Sequence, residues 1–226
     1  MLGSITHIIY GIILLGLLIQ SYRLWQDQNQ LYLLFMFGVI LGLTYDNWII
    51  GLGRFIGEGS TLQALNVPRY WLHAFLTPGM MFVGLALARN AGVKWAWGRV
   101  GTAIVITLMT LMVALGVYSD VILLELQPAF NSGTIRYANE GGLPGPPIAA
   151  IITIIVLLVC GVAIFRKARW AWLMVGALVM FVTSAGGSAF GIITNIGEIA
   201  LAAGMVVTAQ RFVAVENAND AVAMPA

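Results

Sequence analysis

The chain has 226 residues, 60% of them hydrophobic and 9% charged, with a formal net charge of +2. An average soluble domain carries about 25% charged residues, so a water-soluble fold of this size could not cover its surface, and lipid is expected to cover most of it. The small net charge and scattered basic residues exclude a nucleic-acid footprint, and a single cysteine, Cys160, excludes an intrachain disulfide.

Apolar runs near the ~20 residues that a helix needs to cross ~30 Å of hydrocarbon recur along the chain. They predict an all-α, polytopic membrane protein. The expected spans of this seven-transmembrane-helix bundle are 3–20, 31–53, 70–88, 100–118, 148–165, 170–184 and 190–211, forming one domain over residues 1–212. The first run has no basic residue ahead of it and no small-residue cleavage signal after it, so it reads as a retained helix. Tyr22, Arg23 and Trp25 give it an interfacial edge. Before the third span, Asn66 reads as a helix cap with Pro68 in the first turn, and Pro78 is expected to kink the span itself. Residues 119–147 read as a long loop, holding Asn131, Ser132, Gly133, Glu140 and the run GGLPGPP; its first part, 121–126, lies on the interface or lengthens the fourth helix. Residues 213–226 are polar without an apolar period and read as a disordered cytoplasmic tail.

Basic residues set the expected orientation. With the N-terminus outside and the C-terminus inside, the inner segments hold Arg23, Arg89, Lys94, Arg99, Arg166, Lys167, Arg169 and Arg211, and the outer ones only Arg54, Arg69 and Arg136. That excess follows the positive-inside tendency and makes the Gly/Pro-rich loop external.

This direction places His7, Asp46, His73 and Glu198 in the outer half of the bilayer, Asp46 roughly 12 Å below the surface at 1.5 Å per residue. Gly38, Gly42 and Asp46 recur at four-residue steps, a small-residue stripe that turns Asp46 toward protein. Gly191, Asn195, Glu198 and Ala202 form a similar stripe, as do His73, Thr77, Met80 and Gly84, while His7 shares a face with Gly11. A carboxylate at the helix centre carries an insertion penalty of about 2.5–3.5 kcal/mol, so Asp46 and Glu198 need partners or protonation. The outer halves of the first, second, third and seventh spans are therefore expected to enclose one pocket lined by His7, Asp46, Asn47, His73, Thr77, Asn195 and Glu198. Neutralising Asp46 is expected to abolish function while leaving the fold.

Three function classes remain. The first is an intramembrane, metal-assisted enzyme acting on a lipid or other amphiphile. There Asp46 and Glu198 are catalytic, and His73, Asp46, Glu198 and His7 are ligands of a mixed set that suits zinc or iron. The second is a proton-coupled small-solute transporter, with Asp46 and Glu198 exchanging protons and Gly186-Gly187 lending mobility. The third is a non-catalytic lipid-binding or assembly protein, and a haem between His7 and His73 is a minor fourth. Membrane lipid and a small amphiphilic ligand are the expected partners, and the cell membrane the expected location. Retinal attachment is disfavoured because the only lysines, Lys94 and Lys167, sit at helix ends. No HExxH, Walker or G-x-S-x-G motif is present.

Overall fold

A computed structural model describes residues 1–184 and 191–223, with side chains of the last helix described over 192–213. The expected Gly186-Gly187 turn lies outside the described residues. The chain is mostly helical: α1 (Leu2–Gln28), α2 (Leu31–Ile56), α3 (Ser60–Asn90), the short α4 (Lys94–Trp97), α5 (Arg99–Val117), α6 (Ile148–Ala168), α7 (Trp172–Ser184) and α8 (Gly191–Ala223). α5 continues through a π-helical turn, Tyr118–Ile122.

Among the described residues six helices are long and apolar enough to cross a membrane, as a multi-pass membrane protein requires. The run expected to be the sixth span is α7, which is apolar but only 13 residues long among the described residues. α8 runs on as helix through Ala223, across most of the segment whose composition suggests irregular chain.

The helices α1, α2, α3, α6, α7 and α8 close into a ring in that order, and α3 also touches α8 across it. α5 stands outside, against α3 and α6. Burial follows from this plan: 61% of the apolar window of α3 is inside the protein, against 11% of that of α5. The outward faces carry Ile5, Ile9, Ile12, Leu111 and Ile155, a distribution suited to lipid rather than water. Close approach relies on small residues. Gly42 faces Leu72 and Leu76 of α3, so the Gly38, Gly42, Asp46 stripe does turn inward.

The segment expected to be a loop contains instead an antiparallel hairpin, β1 (Leu126–Asn131) and β2 (Thr134–Asn139), paired in register from Leu126↔Asn139 to Asn131↔Thr134. Its two-residue turn has positive φ at both Ser132 (50°) and Gly133 (82°), the twist that lets two strands close tightly. Pro128 lacks an N–H, which β1 tolerates because one of its edges is unpaired.

The hairpin covers one end of the bundle. Gly3 N donates to Ser132 O at 3.1 Å, and Ser4 Oγ donates to Gly133 O at 3.3 Å. Tyr70 Oη donates to Tyr137 O and accepts from Asn139 N, both at 3.0 Å, while Tyr137 Oη accepts from Gly59 N at 3.1 Å. Tyr137 is buried against Ile49 and Leu62, with Ile135 beside them. α1, α2 and α3 are thus pinned at one end by a single element from far along the chain.

Candidate functional site: a buried ion pair beneath the hairpin

Asp46 and Asn47 are consecutive residues near the hairpin end of α2 and point about 100° apart, as a helix requires. Asp46 faces α3, where Arg69 Nε donates to its Oδ1 at 2.6 Å. Both residues of the pair are buried. Arg69 also donates through a terminal guanidinium nitrogen to Asn66 Oδ1, which accepts from Tyr137 N of the hairpin as well, at 3.3 Å. Asn66 spends its amide on Leu62 O at 2.7 Å. One continuous chain of hydrogen bonds therefore runs from hairpin backbone through Asn66 and Arg69 to Asp46.

Two sequence expectations are corrected here. Asn66 is not a helix cap: α3 begins at Ser60, Pro68 lies inside it, and Asn66 is a fully buried link in the network. Arg69 is not an interfacial loop charge either. The helix starts ten residues earlier than the expected 70–88 span, which carries Arg69 inside the bundle as the counterion of Asp46.

Asn47 faces α8. Its Oδ1 accepts from Asn195 Nδ2 at 2.9 Å, and its own amide donates to Leu43 O at 3.0 Å. Glu198 lies three residues beyond Asn195 on α8 and interacts electrostatically with both Asp46 and Arg69. Part of Glu198 is accessible at the bundle surface, yet its Oε2 is sealed and has no hydrogen-bond partner among the described residues. Arg136 of β2 reaches toward the same group and also interacts with Asp46 and Arg69. Its Nε is likewise sealed without a partner. Burial, reinforced by the guanidinium of Arg69, holds Arg136 below the ordinary arginine range, although a guanidinium stays charged at any physiological pH. The cluster thus sets two guanidinium groups against two carboxyl groups, one of which has a direct ionic partner.

His7 is buried on α1, donates from Nδ1 to Gly3 O at 2.8 Å, and interacts electrostatically with Asp46, Arg69 and Arg136. It borders the cluster without a side-chain hydrogen bond to it among the described residues. His73 and Thr77 are placed elsewhere. They lie 3.2 Å apart, Nδ1 to Oγ1, on the side of α3 that looks toward α5. There a half-open cleft of about 590 Å³ is lined by Tyr70, His73, Thr77, Ser119, Asp120 and Asn139, among others. His73 still interacts electrostatically with Asp46, and Tyr70, which follows Arg69, lines the cleft.

Of the expected pocket, Asp46, Asn47, Asn195 and Glu198 come together, His7 adjoins, and His73 and Thr77 line the neighbouring cleft. No three His, Cys, Asp or Glu side chains are grouped to hold a metal ion among the described residues. The carboxylate of Asp46 is turned to a guanidinium, where a ligand set would need a cation of its own. Sequence reasoning missed Arg69, Asn66 and Arg136; the i,i+3 spacing of Asn66 and Arg69, and the Ser-Gly turn ahead of Arg136, were the available signals. No family model, no curated protein and no solved structure matches the chain.

Proposed function

We propose that this is a proton-coupled carrier of a small solute, spanning the cell membrane seven times with its N-terminus and hairpin outside. The observation that carries the reading is Glu198. A buried carboxyl oxygen without a partner among the described residues, next to the Asp46–Arg69 ion pair, is costly to keep, and that cost supports a role in proton exchange. When Glu198 is neutral, Arg69 belongs to Asp46. When it ionises, it competes for the same guanidinium, so loss of a proton loosens the link from Asp46 through Asn66 to the hairpin. Ion-pair exchange of this kind is a two-state element that both a proton and a solute can bias. The positive charge of Arg136, a partly exposed residue beside the ion pair, favours a solute bearing a carboxylate.

Proton release tests this reading. Detergent-purified protein in weakly buffered solution is exposed in turn to small organic acids, amino acids, sugars and amines. A pH change with one carboxylate-bearing class, absent in Glu198→Gln, is the expected result; binding of such a solute with no proton movement contradicts it.

A second reading is an intramembrane enzyme on an amphiphile, favoured by the cleft between α3 and α5 with His73 at its wall. Here His73, paired with Thr77, is the acid–base group. The metal-assisted form would show zinc or iron in stoichiometric amount on elemental analysis, lost in His73→Ala; the carrier reading predicts no such loss.

A further inference from the structure

At the end of the bundle opposite the hairpin, a second hollow of about 660 Å³ lies between the α3–α5 connection and the last turns of α6. Lys94 and Trp95 of α4 form one side, Arg166 and Lys167 the rim, and Leu158 and Val162 of α6 an apolar wall running toward the bundle middle. No acidic residue lines it.

The three cations are exposed and have no ion-pair or hydrogen-bond partner among the described residues, where the only ion pair is Arg69–Asp46. Neighbouring arginines differ. Arg89 donates to Ala96 O and Thr102 Oγ1, and Arg169 packs over the Phe165 ring. Arg166 and Lys167 alone could be explained by the negative end of the α6 dipole. Lys94 cannot, because it comes from another element and is brought there by the turn at Gly92, whose φ of 77° suits glycine. The Lys167 stem lies across this turn, its Cε 3.4 Å from where a Cβ on Gly92 would sit.

Three like charges around one apolar-walled hollow favour an anion, and one that tolerates hydrocarbon beneath it. We propose that this hollow binds an anionic phospholipid. Its headgroup phosphate lies among Lys94, Arg166 and Lys167, an acyl chain lies along Leu158 and Val162, and Trp95 sits at headgroup depth. The inference is independent of the carrier reading and of the direction in which the chain is inserted.

Native mass spectrometry of the full chain in detergent, with equimolar phosphatidylglycerol and phosphatidylcholine, tests it. Wild-type protein should retain phosphatidylglycerol by about tenfold over phosphatidylcholine, as several basic contacts imply. The preference should fall as salt is raised, and should disappear in the triple variant K94Q/R166Q/K167Q. Lys94→Gln alone should weaken it several-fold, which keeps the test decisive if the triple variant does not fold. Equal retention of the two lipids, or an unchanged preference in the variants, overturns the proposal. Displacement of the lipid by millimolar glycerol phosphate would also overturn it, by showing a phosphate site that ignores the acyl chain.

Discussion

Arg69 changes what Asp46 means. A buried carboxylate without a counterion would gain from neutralisation, whereas one bonded at 2.6 Å to a buried guanidinium leaves that cation stranded when it is removed. Breaking a buried pair from one side costs about 3–5 kcal/mol. Asp46→Asn should therefore destabilise the protein by that order in detergent unfolding, which reverses the expectation from sequence that the fold would survive untouched. The double variant Asp46→Leu/Arg69→Met should recover to within about 1–2 kcal/mol of wild type, since well-packed apolar replacements of buried pairs are often neutral, but should remain inactive. Glu198→Gln should behave in the opposite way. It removes no hydrogen bond of Oε2, so stability should change by less than about 1 kcal/mol while proton coupling is lost. Equal destabilisation by Asp46→Asn and Glu198→Gln would mean that Glu198 has a structural partner after all. At this scale the sequence was legible where cost spoke plainly: Asp46 and Glu198 are expensive in hydrocarbon, and small-residue stripes turned them inward. It was illegible at Arg69 and Asn66 because Pro68 imitates a helix start, so residues 60–65 read as loop and Asn66 as a cap.

The hairpin is the element that composition hid. Gly/Pro-rich flanks dominate residues 119–147, and two six-residue strands with a Ser-Gly turn are a weak signal beside them. Its docking is tight enough to be probed by one methyl group. A Cβ on Gly53 would lie 1.9 Å from Ile135 O, a contact with backbone that no rotamer change relieves. Gly53→Ala should lift β2 from α2, at a cost of about 1–3 kcal/mol, and faster hydrogen exchange at the Tyr137 and Asn139 amides would report it. Tyr70→Phe removes both hydrogen bonds from Tyr70 Oη to β2 and should have a similar but smaller effect, about 1–2 kcal/mol. If exchange at Tyr137 is unchanged in both variants, the hairpin is held by something other than these contacts.

For the molecule as a whole, the connections from α1 to α7 alternate ends, so the hairpin and the Lys94 region lie at opposite faces of the bundle. The excess of basic residues at the Lys94 face supports an inward direction for it. Impermeant thiol labelling of intact cells should modify Ser132→Cys and spare Lys94→Cys, and both side chains are exposed enough for the contrast to be clean. The reverse pattern would invert the orientation while leaving the site's geometry in place. Helical class and most spans were readable because a hydrocarbon solvent imposes length and apolarity on every crossing segment. Ring order was not, since pairings such as α1 with α8 depend on side-chain fit between helices remote in sequence.

The carrier reading is tested most directly in proteoliposomes holding a pH dye, with an imposed gradient of a carboxylate-bearing solute and its flux followed alongside lumenal pH. Wild-type protein should move solute and protons in fixed proportion, and Glu198→Gln should break that proportion, moving solute without protons or neither. Unaltered coupling in Glu198→Gln, or wild-type solute flux with no change in lumenal pH, would contradict the reading.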